Sequence, residues 1–365
     1  MKILIISDAW TPQINGVVRT LEMTARHLGR MGHDVRVTGP DAARLTAVAL
    51  PFYPEIKIEF FAHKRIAAII RDWNPDFIHI ATEGPLGWAA RSVCLRRSLP
   101  FTTSYHTRFP EYIAARAPRF LRPFISFFCY AGLRRFHTPA GAVMVATPSM
   151  EQELKKRRFH RLARWSRGVD MDLFCVRRDA PDIYASLPRP ILLYVGRVAA
   201  EKNLRAFLDL DTPGSKIVIG DGPDFDALRR AYPAAHFLGT MQGENLARHY
   251  AGADLFVFPS LTDTFGLVLL EACASGLRVA ACPAPGPRDI FADPAARVFA
   301  VLDADLQRAV TTALALPSNP AAPRAFADHF SWEACTQQFY RNLQAPSPRA
   351  KKRLARWRRT IGDGM

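Results

Sequence analysis

Short runs in which nearly every residue is apolar recur along this 365-residue chain. Between them lie stretches in which apolar residues return every three or four positions. The first kind reads as strands buried on both faces, the second as helices packed across them. Lys2–Ser7, Asp34–Gly39, Asp76–Ala81, Phe101–Ser104 and Ala142–Thr147 are five such strands. After a proline-rich break, PDIYASLPRP, come Ile191–Gly196, Lys216–Gly220, His236–Gly239, Asp254–Pro259 and Arg278–Cys282. Val18, Leu21, Ala25, Leu28 and Met31 mark a helix stripe between the first two strands, the start of a βαβ unit. Because the series occurs twice, the pattern predicts an α/β protein of two doubly wound parallel-sheet domains facing across a cleft. The first domain is expected over 1–182 and the second over 188–330. A C-terminal helix at about 331–345 should pack back on the first domain, followed by a basic flexible tail over 346–365.

Hydrophobic residues at 49% and charged residues at 22% are globular proportions. No apolar run reaches the ~18 residues of a spanning helix, and the apolar start MKILIISDAW is too short for a signal peptide. Six cysteines without a CxxC pair read as reduced core thiols of a cytosolic protein. The net charge of +16 favours an anionic partner: nucleic acid, anionic lipid or a phosphorylated substrate. Only nine of the 49 basic residues are lysine, so arginine-rich base composition accounts for part of the surplus.

Three segments carry candidate chemistry. In YVGRVAAEKN a strand ends at Gly196, and Arg197 and Lys202 follow in the loop and helix start. An arginine fork and a lysine point charge beyond a strand end suit a diphosphate, although a solvated loop has the same composition. In SLTDTFGLVLLEACASG, Asp263 and Glu271 frame an apolar run with seven residues between them. Gly266 permits close approach, and the N–H groups after Phe265, those of Gly266, Leu267 and Val268, would point at an anion. A helix acid such as Glu271 can bind a ribose diol and a loop acid such as Asp263 a sugar hydroxyl. The plainer alternative is an acid complementing the helix dipole plus a surface glutamate. In WTPQINGVVRTL, Asn15-Gly16 turns the first strand into the first helix and leaves room for phosphate. Neither half carries the GxGxxG fingerprint of NAD enzymes.

Together these segments resemble the retaining GT-B glycosyltransferases of glycosyltransferase family four, in which an acid–seven–acid element is a hallmark. HDVRVTGP, SYHTRFPEY, VATPSM, SRGVDMDLF, IGDGP and FSWEACTQQFY match further family segments in order, so the resemblance spans nearly the whole chain. SDAWTPQINGVVRTL and TDTFG look closest to the branch of sulfoquinovosyl-, glucuronosyl- and mannosyltransferases that glycosylate diacylglycerol-type or phosphoinositide lipids. The resemblance implies two Rossmann-like domains, with Arg197 and Lys202 on the donor diphosphate, Glu271 on its ribose and Asp263 on the transferred sugar. Gly16 would pack against the phosphate from the opposite domain and His106 would line the sugar site. Asp8, Arg19, Arg108 and Tyr112 would lie on the acceptor side. One departure is that Asp263 stands where most members have glutamate, one methylene longer.

No second carboxylate pair suggests double displacement, so the resemblance implies front-face attack, with the departing phosphate taking the acceptor proton. Asp170-Met171-Asp172 mimics a DxD metal signature but matches the family's GVD segment, and neither a catalytic metal nor another cofactor is predicted. RFLRPFISFFCYAGLRRFH, residues 119–137, interleaves aromatics with arginines in a way that suits an anionic interface, and equally a buried helix with arginine ends. The tail APSPRAKKRLARWRRTIGDGM adds seven cations around Trp357. The expected protein is a cytoplasmic enzyme, peripheral to the inner face of the cell membrane, moving a hexose from a UDP- or GDP-sugar to a lipid. A soluble or polysaccharide acceptor and a sugar-nucleotide epimerase are the alternatives within the fold. A basic nucleic-acid-binding protein is the reading from a different class; no nucleic-acid partner is expected, because the best-placed cations flank strand ends rather than a recognition helix.

Overall fold

The computed structural model describes residues 1–11, 13, 16–41, 47–50, 53–106, 118, 121–176, 179–263 and 265–344. They form two compact units, one running from Met1 to Ser166 and resumed at Cys335, the other spanning Arg167–Ala334.

The first unit's main sheet contains β1 (Lys2–Ile6), β2 (Asp34–Thr38), β5 (Phe77–Ile80), β6 (Thr102–Tyr105), β7 (Val143–Val145) and β8 (Leu162–Arg164). Their spatial order is β2-β1-β5-β6-β7-β8, and every pairing is parallel. β3 (Ala47–Leu50) and β4 (Tyr53–Glu59) form a separate antiparallel ribbon. Ile3, Leu4, Ile5 and Ile6 are all fully buried, as a strand covered on both faces requires. Strand His79 is buried but satisfied, with Nδ1 2.9 Å from Thr102 Oγ1 and Nε2 2.9 Å from Ser104 Oγ.

The helix Trp332–Leu343 supplies Phe339, fully buried with its ring centroid 4.7 Å from Trp165 and 4.8 Å from His79. Burying such a ring is worth about 1.5–3 kcal/mol, and Asn342 adds a 2.8 Å hydrogen bond from Nδ2 to the Arg164 carbonyl.

The second unit's sheet contains β9 (Ile191–Val195), β10 (Ser215–Ile219), β11 (His236–Phe237), β12 (Leu255–Phe258), β13 (Arg278–Ala281) and β14 (Ala300–Leu302). Their order, β11-β10-β9-β12-β13-β14, is that of a doubly wound nucleotide fold. In both sheets the direction of winding reverses once, at β1/β5 and at β9/β12, and ligands of such sheets bind beyond the strand ends at that reversal. β9 pairs with β10 along its whole length, but with β12 only at Leu192–Leu255 and Leu193–Phe256.

All ten strands read from the hydropathy pattern are present, and β8, β14 and the β3–β4 ribbon are additions. The units change at Ser166/Arg167 rather than near residue 182. Residues 167–174 belong to the second unit because Val169 N donates to Phe330 O at 2.8 Å and Arg324 donates to the carbonyls of Met171, Phe174 and Ala274 at 2.6–2.9 Å. The tail and residues 119–120 lie outside the described residues.

His249 shows how burial sets a charge state in the second unit. Its Nδ1 lies 2.9 Å from the Tyr184 hydroxyl, and burial, helped by Arg248, lowers its pKa to about 4. The unfolded chain takes up this proton near pH 6.5, so stability falls as pH drops from 6.5 to 4. At ~1.4 kcal/mol per unit, the loss is about 3 kcal/mol. Urea unfolding followed against pH should show this slope, and His249→Gln should flatten it across that window.

Candidate active site

In the second unit the site begins where β9 meets glycine. A Cβ on Gly220 would lie 1.8 Å from the Gly196 carbonyl oxygen, and one on Gly222 2.3 Å from that of Val198. The turns after β9 and β10 therefore run backbone against backbone, pinned by Val198 N donating to Asp221 O at 2.9 Å. Buried Tyr194 donates its hydroxyl to the Arg197 carbonyl at 2.8 Å, which fixes the backbone of that residue. The Arg197 guanidinium, half exposed, bonds the Glu201 carboxylate.

Lys202 ends a single turn, Ala200–Lys202, that Asn203 closes in the left-handed conformation at φ 53°. Asn203 also donates from Nδ2 to the Pro259 carbonyl at 3.2 Å, which ties this turn to the strand end of β12. Lys202 Nζ then reaches Asp263 Oδ2 at 2.6 Å, both side chains about a quarter exposed. The two strands flanking the sheet's reversal are thereby bridged by an ion pair.

After β12 the chain buries Phe265 and turns through Gly266, at φ 87°, into the helix Leu267–Ala274. Among the described residues no side chain caps this helix, and its first turn contains no acid. The partial positive charge of its N-terminus is therefore presented by Gly266, Leu267 and Val268. Gly286 packs beneath, its N–H donating to the Asp263 carbonyl at 2.9 Å, where a Cβ would lie 2.4 Å from the Phe265 oxygen. Glu271 is only 4% exposed, which removes the surface-glutamate alternative. Its Oε2 accepts the Tyr250 hydroxyl at 3.0 Å, and Tyr250 is buried between Phe174 and Phe256.

The first unit places its candidates at strand ends as well. Asp8, after β1, works as a helix cap: Oδ1 accepts from Leu86 N at 2.8 Å, and Oδ2 from Thr82 Oγ1 and Gly87 N at 2.8 and 3.2 Å. Burial raises its pKa, and these hydrogen bonds oppose the rise. Gly16 opens the helix Gly16–Arg30, and Arg19 lies partly buried in its first turn. His106, just after β6, meets the Trp165 ring edge-on at 5.7 Å. Asn15, Arg108, Tyr112 and Thr264 lie outside the described residues.

The structure thus places Arg197, Lys202, Asp263 and the Phe265–Val268 segment beyond the carboxyl ends of β9 and β12, with Glu271 in the helix that follows, and among them it joins Lys202 to Asp263. Glu201, Asn203, Tyr250 and Gly286 support them and escaped sequence reasoning. Only Gly286, inside PAPGP, carries a local signal of a tight turn. The DxD-like Asp170 closes a turn, its Oδ1 accepting from Asp172 N and Leu173 N at 3.2 and 3.0 Å. Among the described residues no three His, Cys, Asp or Glu side chains converge as metal ligands.

Residues 14–173 match the family model described as Glycosyltransferase Family 4, and residues 189–316 that described as Glycosyl transferases group 1. The chain is 30% identical, over 80% of its length and 81% of the relative's, to a GDP-mannose-dependent alpha-mannosyltransferase of Mycobacterium tuberculosis. It is 25% identical, over 86% of its length and 78% of the relative's, to an alpha-monoglucosyldiacylglycerol synthase of Streptococcus pneumoniae. In fold it is similar to sucrose-phosphate synthase from Thermosynechococcus elongatus, with a TM-score of 0.70, 21% identity, and 95% and 100% of the two chains covered.

Tyr250→Phe removes one hydrogen bond to the buried Glu271 carboxylate without changing packing volume. It should lower the unfolding free energy by about 1.5–3 kcal/mol, measured by urea denaturation. A loss under a few tenths would mean that the hydroxyl does not hold Glu271.

Proposed function

The chain belongs to glycosyltransferase family 4, and from that premise we propose that it moves a hexosyl group from a UDP- or GDP-linked sugar to a membrane lipid. The acceptor is a diacylglycerol or a phospholipid headgroup, and transfer retains anomeric configuration without a metal. The observation that carries this reading is the Lys202–Asp263 pair beside the uncapped start of Leu267–Ala274. It joins a cation, a hydroxyl acceptor and a helix N-terminus at the reversal of one sheet. A diphosphate needs the first and third, a sugar the second.

In this reading Arg197, Lys202 and the N–H groups after Phe265 hold the diphosphate, and buried Glu271 receives the ribose. Asp263 aims Lys202 with one oxygen and meets a sugar hydroxyl with the other. The bond from the anomeric carbon to the phosphate oxygen breaks with its electron pair going to phosphate. The acceptor oxygen bonds the same face, and its proton passes to the departing phosphate. Arg197 and Lys202 offset the charge that develops there. Gly16 and His106 keep the donor-side roles that the family resemblance implies, and Asp8, Arg19, Arg108 and Tyr112 keep acceptor-side ones. Asp8 acts there through the helix start that it caps.

The mannosyltransferase relative supports a GDP-linked donor, and the diacylglycerol relative supports a lipid acceptor. Cys94, Cys273, Cys282 and Cys335 are buried free thiols, which supports a reducing, cytoplasmic setting. No helix among the described residues is long and apolar enough to cross a membrane, so attachment to the inner face is peripheral in this proposal. Nucleic acid has no part in it.

Incubating the purified protein with membranes and labelled UDP- and GDP-sugars should place label in the lipid extract. Label confined to soluble or polysaccharide fractions would reassign the acceptor. Arg197→Ala and Lys202→Ala should each lower kcat/KM by on the order of 10²-fold with the fold intact. Near wild-type transfer by both would end the diphosphate assignment.

A further inference from the structure

The helix Arg122–His137 in the first unit is amphipathic in an unusual sense. Its inner side is ordinary core: Tyr130, Phe136 and His137 are buried. Its outer side is aromatic, with Phe124, Phe127 and Phe128 exposed by 64%, 62% and 69%. Phe124 and Phe128 are one helical turn apart, Phe127 stands edge-on to Phe128 at 5.5 Å, and exposed Arg135 continues the same face two turns on. Scattered exposed apolar residues are normal in proteins, but three adjacent phenylalanines are a patch.

The surroundings of the patch are cationic. Residues 112–150 contain no aspartate or glutamate. The neighbouring helix Pro148–Lys156 docks on the inner side, with the Arg157 guanidinium 3.7 Å from the centre of the Tyr130 ring and the Tyr130 hydroxyl 3.2 Å from Glu153. That contact carries the run KKRRFHR, residues 155–161, to the flank of the aromatic helix, with Lys155, Lys156 and Arg158 exposed. The two acids of this region are already engaged, Glu151 with Lys155 and Glu153 with Arg157.

We propose that this face is a docking surface for an anionic lipid bilayer. The three phenylalanine rings enter the headgroup–acyl boundary, while Arg135, Lys156 and Arg158 meet lipid phosphates. A second copy of the chain is the poorer occupant, because pairing the patch with itself would press two cationic rims together in a protein of net charge +16. The inference rests on the peripheral attachment proposed above and locates it on the fold; it holds whichever sugar or acceptor is used, so vesicle binding and the transfer assay can fail separately.

The full chain is sedimented with vesicles of phosphatidylcholine alone and with about a third phosphatidylglycerol. It should partition to the anionic vesicles, and each cation reversed among Arg135, Lys156 and Arg158 should weaken binding about fivefold or more. Phe124→Ser/Phe127→Ser/Phe128→Ser should lower partitioning by about 10²-fold or more with an unchanged thermal melt. Phe128→Ser alone should show part of that loss, should the triple variant fold poorly. Undiminished binding by folded serine variants would assign attachment to other cations, such as those of the tail, and overturn the proposal. Equal binding to both vesicle types would also overturn it. So would a lipid-free dimer by analytical ultracentrifugation that the serine variants dissolve, since the face would then be an interface between copies.

Discussion

The ion pair of Lys202 with Asp263 is the contact on which the candidate site depends. The strands that lead to these residues, β9 and β12, are neighbours only through the first part of their length. Past Leu193 and Phe256 no further strand pairing joins them, so side chains must fix the loops beyond, among them Asn203 on the Pro259 carbonyl. A 2.6 Å contact between opposite charges, a quarter exposed, adds to that hold. Its worth in stability is modest, because exposed pairs contribute about 0–1 kcal/mol. Its worth in geometry is greater: it presents cation and carboxylate as one unit beside the start of a helix that has no cap of its own.

The backbone around that pair is close-packed to the point of excluding side chains. The carbonyls of Gly196 and Val198 lie where Gly220 and Gly222 would carry a Cβ, and the Phe265 carbonyl does the same for Gly286. A loop held by atoms at van der Waals contact has little room to relax, so the N–H groups of Gly266–Val268 point where the backbone dictates. Glu271 is fixed differently, by burial and the Tyr250 hydroxyl. A carboxylate this enclosed is costly unless hydrogen-bonded.

What the sequence disclosed followed the range of the interactions involved. Strands buried on both faces are legible as apolar runs, so ten of them could be marked without any knowledge of neighbours. The three-residue edge strands β8 and β14 were too short to rise above their surroundings. The proline-rich break near residue 182 suggests a boundary there, but the compact units divide at 166/167 through contacts between residues about 150 apart, Arg324 on Met171 and Phe174. No local pattern announces those. The same holds at the site: the framed glycine helix and the two cations were visible as spacing, whereas the partners Glu201 and Tyr250 are ordinary residues in ordinary contexts. The resemblance puts Asp8 on the acceptor side, but spacing does not show that both its oxygens are occupied by the turn and helix start after β5.

The surplus of positive charge divides into two populations that answer to different physics. Around the strand ends of the second unit, cations are held by carboxylates, Arg197 by Glu201 and Lys202 by Asp263. Fixed charges of that kind suit one small anion in one orientation, because little reorganisation remains when it arrives. On the first unit's aromatic helix and its flank, exposed cations instead accompany three exposed rings on surface whose acids are already engaged. Dispersed charges around an apolar patch suit a broad, yielding, negatively charged surface, which rewards number more than placement. Composition alone, at +16, cannot separate these cases. Burial and pairing do: the cations held by carboxylates fit the proposed diphosphate, and the dispersed ones fit the proposed bilayer.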